Sequence, residues 1–340
     1  MVVVVAVLLV VVGTTCSSPA PAMSAVARSS PSRVPITILG GQGTLSGARP
    51  TVEVRVGNSP PVPVLLDTGS SGLHLFGSAI PTGPGSGVTL TSHRADITYS
   101  GGHRFVGVVA TAVVTIGTAA TSAPVRFADV ERAFCIPSKP TCPAAGGIPG
   151  FEATGVDGIL GIGTQSSGGN LVSPILGLPG SLGSTWSIHL KGASGTLILG
   201  ARLPTGSSAT TIPMRPVGSS VTPALWADSG LPLCVSVGAV DQCVHGLFDT
   251  GTYTVQVSGA ELNRAPTTSG SDHVTVGTPV AVTLRGAAHP FWTFTAGATK
   301  SEDLVTVRPG RSGFVNSGVQ VFYDFTVTYD DTSGQIRLSH

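Results

Sequence analysis

Two short phrases in this chain are built for joint acid–base chemistry. Leu65-Leu66-Asp67-Thr68-Gly69-Ser70 stands early and Leu247-Phe248-Asp249-Thr250-Gly251-Thr252 stands late. Each is two apolar residues, then Asp-Thr-Gly, then a hydroxyl residue. Chance would supply roughly 0.2 Asp-Thr-Gly triplets in a chain of this composition, so two copies in matched contexts point to a shared task. Paired carboxylates suit one task well. Two of them a few ångströms apart cannot both ionise, because like charges raise one pKa. The pair then holds one proton, and its titration belongs to the pair rather than to either member. The ionised carboxylate can take a proton from a water. The protonated one can hydrogen-bond a carbonyl and take up its developing charge.

Such carboxylates must be held rigidly, and the flanking residues read as strands that do so. Val64-Leu65-Leu66 feeds Asp67, Gly69 permits a tight turn, and Leu73-His74-Leu75-Phe76 resumes. His245-Gly246-Leu247-Phe248 feeds Asp249, and Thr254-Val255-Gln256-Val257 resumes. The phrases lie 182 residues apart, about one domain length, which implies a duplicated lobe rather than a solenoid. A Gly/Pro/Ser-rich stretch near 203–220 is the natural crossing between the halves. Lobes are therefore expected over residues 34–202 and 203–340.

Composition agrees with an all-β chain. Gly 46 and Pro 26 are high, Val and Thr abundant, and long amphipathic helical patterns scarce, so many short strands joined by turns are expected. The 340 residues suffice for two sizeable lobes. A net charge of +1 with 10% charged residues gives no electrostatic attraction to nucleic acid or to an anionic membrane.

The beginning of the chain reads as an export signal. Met1 to Val12 is almost wholly aliphatic, too short to span a bilayer and suited to a signal-peptide core. Gly13-Thr14-Thr15-Cys16 places Cys16 where a bacterial lipoprotein carries its lipid, while Ala20-Pro21-Ala22 and Ala25-Val26-Ala27 offer ordinary cleavage sites. A signal peptide over 1–16 and a flexible Ser/Pro/Ala-rich spacer over 17–33 are expected. Arg far outnumbers Lys, as in chains from GC-rich genomes. The expected location is outside the cytoplasm of a bacterium, secreted or held at the cell envelope through lipidated Cys16. The other four cysteines form two close pairs, Cys135 with Cys142 and Cys234 with Cys243, and in an oxidising compartment each would close a small loop. Neither is Cys-x-x-Cys and there is no His-Glu-x-x-His, so no metal site is expected.

With these motifs in order, the chain resembles the pepsin-like aspartic proteases over most of its length. Leu65 to Ser71 matches the family's first active-site phrase. Asp96-Ile97-Thr98-Tyr99-Ser100-Gly101-Gly102 resembles the flap hairpin whose tyrosine covers the site. Val156-Asp157-Gly158-Ile159-Leu160-Gly161 resembles the segment threaded behind the first active-site loop, with Asp157 a structural residue. Gly195 to Gly200 resembles the strand closing the first lobe, and Phe325 to Asp330 the final strands. The resemblance implies an all-β, bilobal fold with the site in the cleft between lobes. It implies Asp67 and Asp249 as the catalytic pair and requires no cofactor. Thr68 and Thr250 would cross-bond the loops, with Gly69 and Gly251 forming their turns. Ser70 and Thr252 would bond the outer carboxylate oxygens, and Tyr99 would close over a bound peptide. Two positions depart from the family's pattern. His74 stands where the family has a Trp, and is expected to supply the flap tyrosine's hydrogen-bond partner. Gly313-Phe314-Val315-Asn316-Ser317-Gly318 stands where the second apolar-apolar-Gly segment belongs, so an irregular backing of Asp249 is expected.

The function expected from this resemblance is an aspartic endopeptidase acting on an extended polypeptide. Both phrases lie in one chain, so it needs no second copy and is expected to act as a monomer. The alternative is a catalytically silent pepsin-like fold that serves as an envelope binding protein.

Overall fold

In the computed structural model, residues 30–40, 47–206, 209–218, 224–297, 303–308 and 312–340 are described. The expected signal peptide, Cys16 and most of the spacer lie outside them. Ser32 and Arg33, the end of the expected spacer, already stand in a strand, Ser32–Leu39, opposite Leu199 and Ile198.

The architecture is all-β. Among the described residues, two short α-helices, Gly147–Glu152 and Gln320–Asp324, and a few 3-10 turns interrupt a succession of strands. Alternation sets the outer strands: in Leu231–Val237 the buried positions are Leu231, Leu233, Val235 and Val237. The strands that carry the site read differently. Gly158–Ile162 and Ser71–Phe76 are buried at every position, as expected of strands covered on both faces.

One 15-stranded sheet and one 7-stranded sheet hold the two halves. The larger sheet is not confined to the first lobe. Its strand Thr185–Lys191 pairs with Thr326–Asp330, which pairs with Gln335–Ser339, which in turn pairs with Thr210–Pro213. The last strands of the chain therefore return to the first lobe and tie the halves through one continuous ladder. Trp186 and Tyr329 stack across this seam, ring centroids 5.6 Å apart, and both are fully buried. Full burial of each large apolar side chain contributes about 1.5–3 kcal/mol, so this seam resists separation of the lobes.

A second apolar cluster lies beneath the hairpin of Thr89–Thr98 and His103–Ala112. It includes Phe76, Phe105, Phe151 and Leu171, with Tyr99 packed on its edge. The exposed Arg104–Asp96 ion pair spans the two hairpin strands, and pairs of that kind add little stability in water. Both cysteine pairs are disulfides. Cys135–Cys142 closes the loop after the strand Val125–Cys135, and Cys234–Cys243 joins directly opposed positions of Leu231–Val237 and Val240–Leu247. Among the described residues, no helix is long and apolar enough to cross a membrane.

Candidate active site

Each Asp-Thr-Gly turn leaves the end of a strand and is backed by a third strand threaded behind it. In the first half, Val62–Asp67 runs parallel to Gly158–Ile162, with Asp67 opposite Gly161. The backing strand also runs antiparallel to Ser71–Phe76, with Gly161 opposite Gly72. In the second half, Val240–Leu247 runs parallel to Phe314–Asn316, with Leu247 opposite Asn316. That strand is antiparallel to Val255–Ser258, with Gln256 opposite Asn316. The two registers correspond: Asn316 holds the place of Ile159, Ser317 that of Leu160 and Gly318 that of Gly161. The backing of Asp249 is thus regular in backbone despite its sequence, which corrects the expectation of an irregular segment. The reason is that the polar side chains of Asn316 and Ser317 find partners inside the site.

The turns meet face to face, and their hydrogen bonds are matched across the interface. Thr68 N donates to Thr250 Oγ1 at 3.0 Å, and Thr250 N donates to Thr68 Oγ1 at 2.9 Å. Thr68 Oγ1 donates to Phe248 O at 2.8 Å, and Thr250 Oγ1 donates to Leu66 O at 2.6 Å. Both threonines are essentially inaccessible, so these bonds lock the turns together in a water-poor setting. Gly69 N donates to Asp67 Oδ1 and Gly251 N to Asp249 Oδ1, each at 2.8 Å. Ser70 Oγ donates to Asp67 Oδ2 at 2.6 Å, and Thr252 Oγ1 to Asp249 Oδ2 at 2.7 Å. Glycine is required at both turns by close approach. A Cβ on Gly69 would lie 2.5 Å from the carboxyl carbon of Asp249, and one on Gly251 would lie 2.6 Å from Asp67 Oδ1.

The carboxyls are only 6% exposed. Burial, and then the neighbouring Asp249 charge, push Asp67 well above the ordinary carboxylate range, while its bonds from Ser70 and Gly69 oppose the rise. The pair therefore holds a proton to higher pH than an ordinary carboxylate would. Its surroundings are not symmetric. Asn316 Nδ2 donates to Asp249 Oδ2 at 2.5 Å, a second donor for which Asp67 has no counterpart among the contacts of its own turn. Asn316 Oδ1 in turn accepts from Gly318 N at 2.8 Å, and Ser317 Oγ accepts from Asp249 N at 3.3 Å.

Tyr99 sits at the turn of the hairpin, where Tyr99 N donates to His103 O and Gly102 N to Tyr99 O, both at 2.9 Å. Its hydroxyl oxygen lies 3.1 Å from His74 Nδ1, a hydrogen bond whose donor is set by the imidazole tautomer. Burial, and then the Asp67 charge, raise the tyrosine's pKa. His74 is 1% exposed, and burial lowers its pKa to about 4, a hydrogen bond with the Gly72 backbone opposing the shift. It is neutral at ordinary pH. Asp157 lies at the far end of the first backing strand, half-buried, its backbone bonded to Pro63 and Phe76. Among the described residues no group of three His, Cys, Asp or Glu is placed to hold a metal.

Three residues were not singled out as parts of the site by sequence reasoning. Asn316 was visible only as a break in an apolar pattern; its offset from Gly318, the same as that of Ile159 from Gly161, marks it. His103 stacks on Tyr99 with centroids 4.5 Å apart. Asp228 joins the halves, accepting from Thr164 N and from Gln165 Nε2, each at 2.6 Å. No spacing rule connects a lone Asp to residues so far away in sequence.

The sequence matches the PE-PGRS C-terminal aspartyl peptidase-like domain over residues 33–335. The chain belongs to that family. No curated protein matches it significantly. Among solved structures it is similar to the crystal structure of an aspartic proteinase from Irpex lacteus, at 18% identity and a TM-score of 0.59. That match covers 91% of this chain and 97% of the fungal one, so the aspartyl peptidase-like domain has the bilobal pepsin-like fold.

Proposed function

We propose that the chain is an aspartic endopeptidase that hydrolyses peptide bonds with a water activated between Asp67 and Asp249. The observation that supports this most is the intact, matched set of donors around the carboxyl pair. Every oxygen position that must be fixed for one-proton chemistry has a partner from the chain itself. The ionised carboxylate takes a proton from the water. The hydroxide equivalent adds to the scissile carbonyl, whose oxygen takes the pair's other proton. Collapse of the tetrahedral species breaks the C–N bond: the leaving amine takes a proton from the pair while the pair takes one from a hydroxyl of that species, so the pair ends with one proton. Tyr99, held by His74, excludes water above the reacting carbon. The substrate is a polypeptide in extended form, and the fungal aspartic proteinase of similar fold is a further support. The two disulfides favour an exported protein that acts outside the cytoplasm.

The test is cleavage of a denatured protein by the purified mature chain from acidic to neutral pH. Cleavage abolished by Asp67→Asn and by Asp249→Asn is the expected result. Full activity in either variant rules out the dyad as the catalyst, and an inert wild type favours the silent binding protein.

A further inference from the structure

The hairpin that carries Tyr99 is gripped at its tip by a neighbouring loop. Its inner strand, His103–Ala112, pairs along its whole length with Val125–Cys135, from Ala112 opposite Val125 to His103 opposite Cys135. Beyond Cys135 the chain does not leave the hairpin. Ile136 N donates to Gly102 O at 2.8 Å, on the turn itself. Lys139 Nζ donates to Ser100 O at 2.5 Å, on the opposite side of the same turn. The stem of Lys139 presses against Gly102, where an added Cβ would lie 2.5 Å from Lys139 Cβ. Gly102 has φ +94, so both its conformation and the contact require glycine.

The loop is itself anchored. The Cys135–Cys142 disulfide closes it, and Cys142 N donates to Lys139 O at 3.3 Å. Cys142 and Ala144 are buried in the apolar cluster with Phe105 and Phe151. Phe151, on the short helix Gly147–Glu152, packs on Phe76, Phe105 and His103, and His103 stacks on Tyr99. Loop, helix and hairpin tip are one packed unit.

We propose that the loop 135–142 is a brace for the flap, with Lys139 the positioning residue that holds Tyr99 against His74. The brace pre-organises the lid, so Tyr99 stands against His74 before any substrate arrives. The part played by the lid in catalysis rests on the endopeptidase reading; the brace is measured without it.

The experiment is hydrogen exchange, read by mass spectrometry, on the mature oxidised protein and three variants. Lys139→Met removes the ammonium donor and keeps an apolar stem; Lys139→Arg keeps a donor. Cys135→Ser/Cys142→Ser opens the loop. In Lys139→Met, exchange in the segment 96–105 is expected to rise about fivefold, the effect of one lost hydrogen bond. Lys139→Arg is expected to restore most of the protection, and the double serine variant to lose more than Lys139→Met. Exchange in the strands Leu231–Val237 and Val240–Leu247, in the other half, stays at wild-type rates. Flap exchange unchanged in Lys139→Met overturns the brace, as does a rise spread evenly over the whole chain. If the double variant does not fold, the Lys139 pair decides. Kinetics give a second reading: KM rises in Lys139→Met more than kcat falls. If the wild type cleaves nothing yet flap exchange responds as described, the brace stands and the endopeptidase reading fails.

Discussion

Asn316→Val probes the carboxyl pair without touching either carboxylate. Asn316 is 4% exposed, and its amide donates to Asp249 Oδ2 at 2.5 Å. Valine suits the place, because the matched position of the first half is Ile159, a core residue. The substitution removes one donor from an oxygen that bears charge in the working state. Hydrogen bonds to charged groups are worth about 1.5–3 kcal/mol, and one pH unit corresponds to about 1.36 kcal/mol, so the expected shift is about one to two units. The sign follows from which state the donor favours. Asn316 stabilises the one-proton, singly charged pair over the fully protonated one. Without it the pair takes up its second proton at higher pH, and the acid limb of kcat/KM moves toward neutrality. A second effect is separable. Gly318 N loses its acceptor, Asn316 Oδ1, and an orphaned buried donor costs about 1–3 kcal/mol of folding stability. The assay is kcat/KM against pH on a peptide substrate, with urea unfolding in parallel. A folded variant that shows the stability loss but keeps the wild-type acid limb refutes the role of Asn316 at the dyad.

His74→Phe keeps the packing and removes the bond to Tyr99. We expect kcat/KM to fall about three- to tenfold, and unchanged cleavage with an unchanged pH profile contradicts the assignment. The same residue sets a stability gradient. Its folded pKa of about 4 lies below the ordinary imidazole value of 6.5, so the unfolded chain binds protons that the folded one refuses. Its contribution is complete above about pH 6.5 and is lost as pH falls toward 4; urea melts of His74→Phe should show a flatter dependence across that window. Asp67 has the opposite sign. Its folded pKa is raised, so its contribution is present below the ordinary value of 3.8 and is lost as pH rises. Asp67→Asn should therefore gain stability on the wild type as pH increases, and a constant difference between the two across acid and neutral pH counts against a proton held by the pair.

The legible parts of this molecule were those set by short-range pattern. Asp-Thr-Gly with its flanking apolar residues announces a turn between buried strands, and alternation over Leu231–Val237 announces a surface strand. Tyr99, followed by Gly101-Gly102, announces a hairpin tip. Pairings between distant segments left weaker traces. The return of Thr326–Asp330 to Thr185–Lys191 depends on which edge of the first sheet is free, and no local pattern encodes that. Asn316 breaks the apolar pattern of a backing strand, yet apolarity is not what the position requires. The requirement is burial with every polar atom satisfied, and Asn316 meets it through Asp249 and Gly318. Lys139, exposed and remote in sequence from Ser100, carries no local signal of its contact with the hairpin tip.

The proposed endopeptidase requires Asp67 and Asp249 to form one assembled, one-proton pair able to recognise a tetrahedral centre. Calorimetric titration with a statine-type peptide inhibitor, whose hydroxyl takes the place of the attacking water, tests it without knowledge of the natural substrate. Saturable binding by the wild type is expected, weakened about 30-fold or more in Asp67→Asn and in Asp249→Asn. No binding by the folded wild type, or equal binding by the variants, contradicts it.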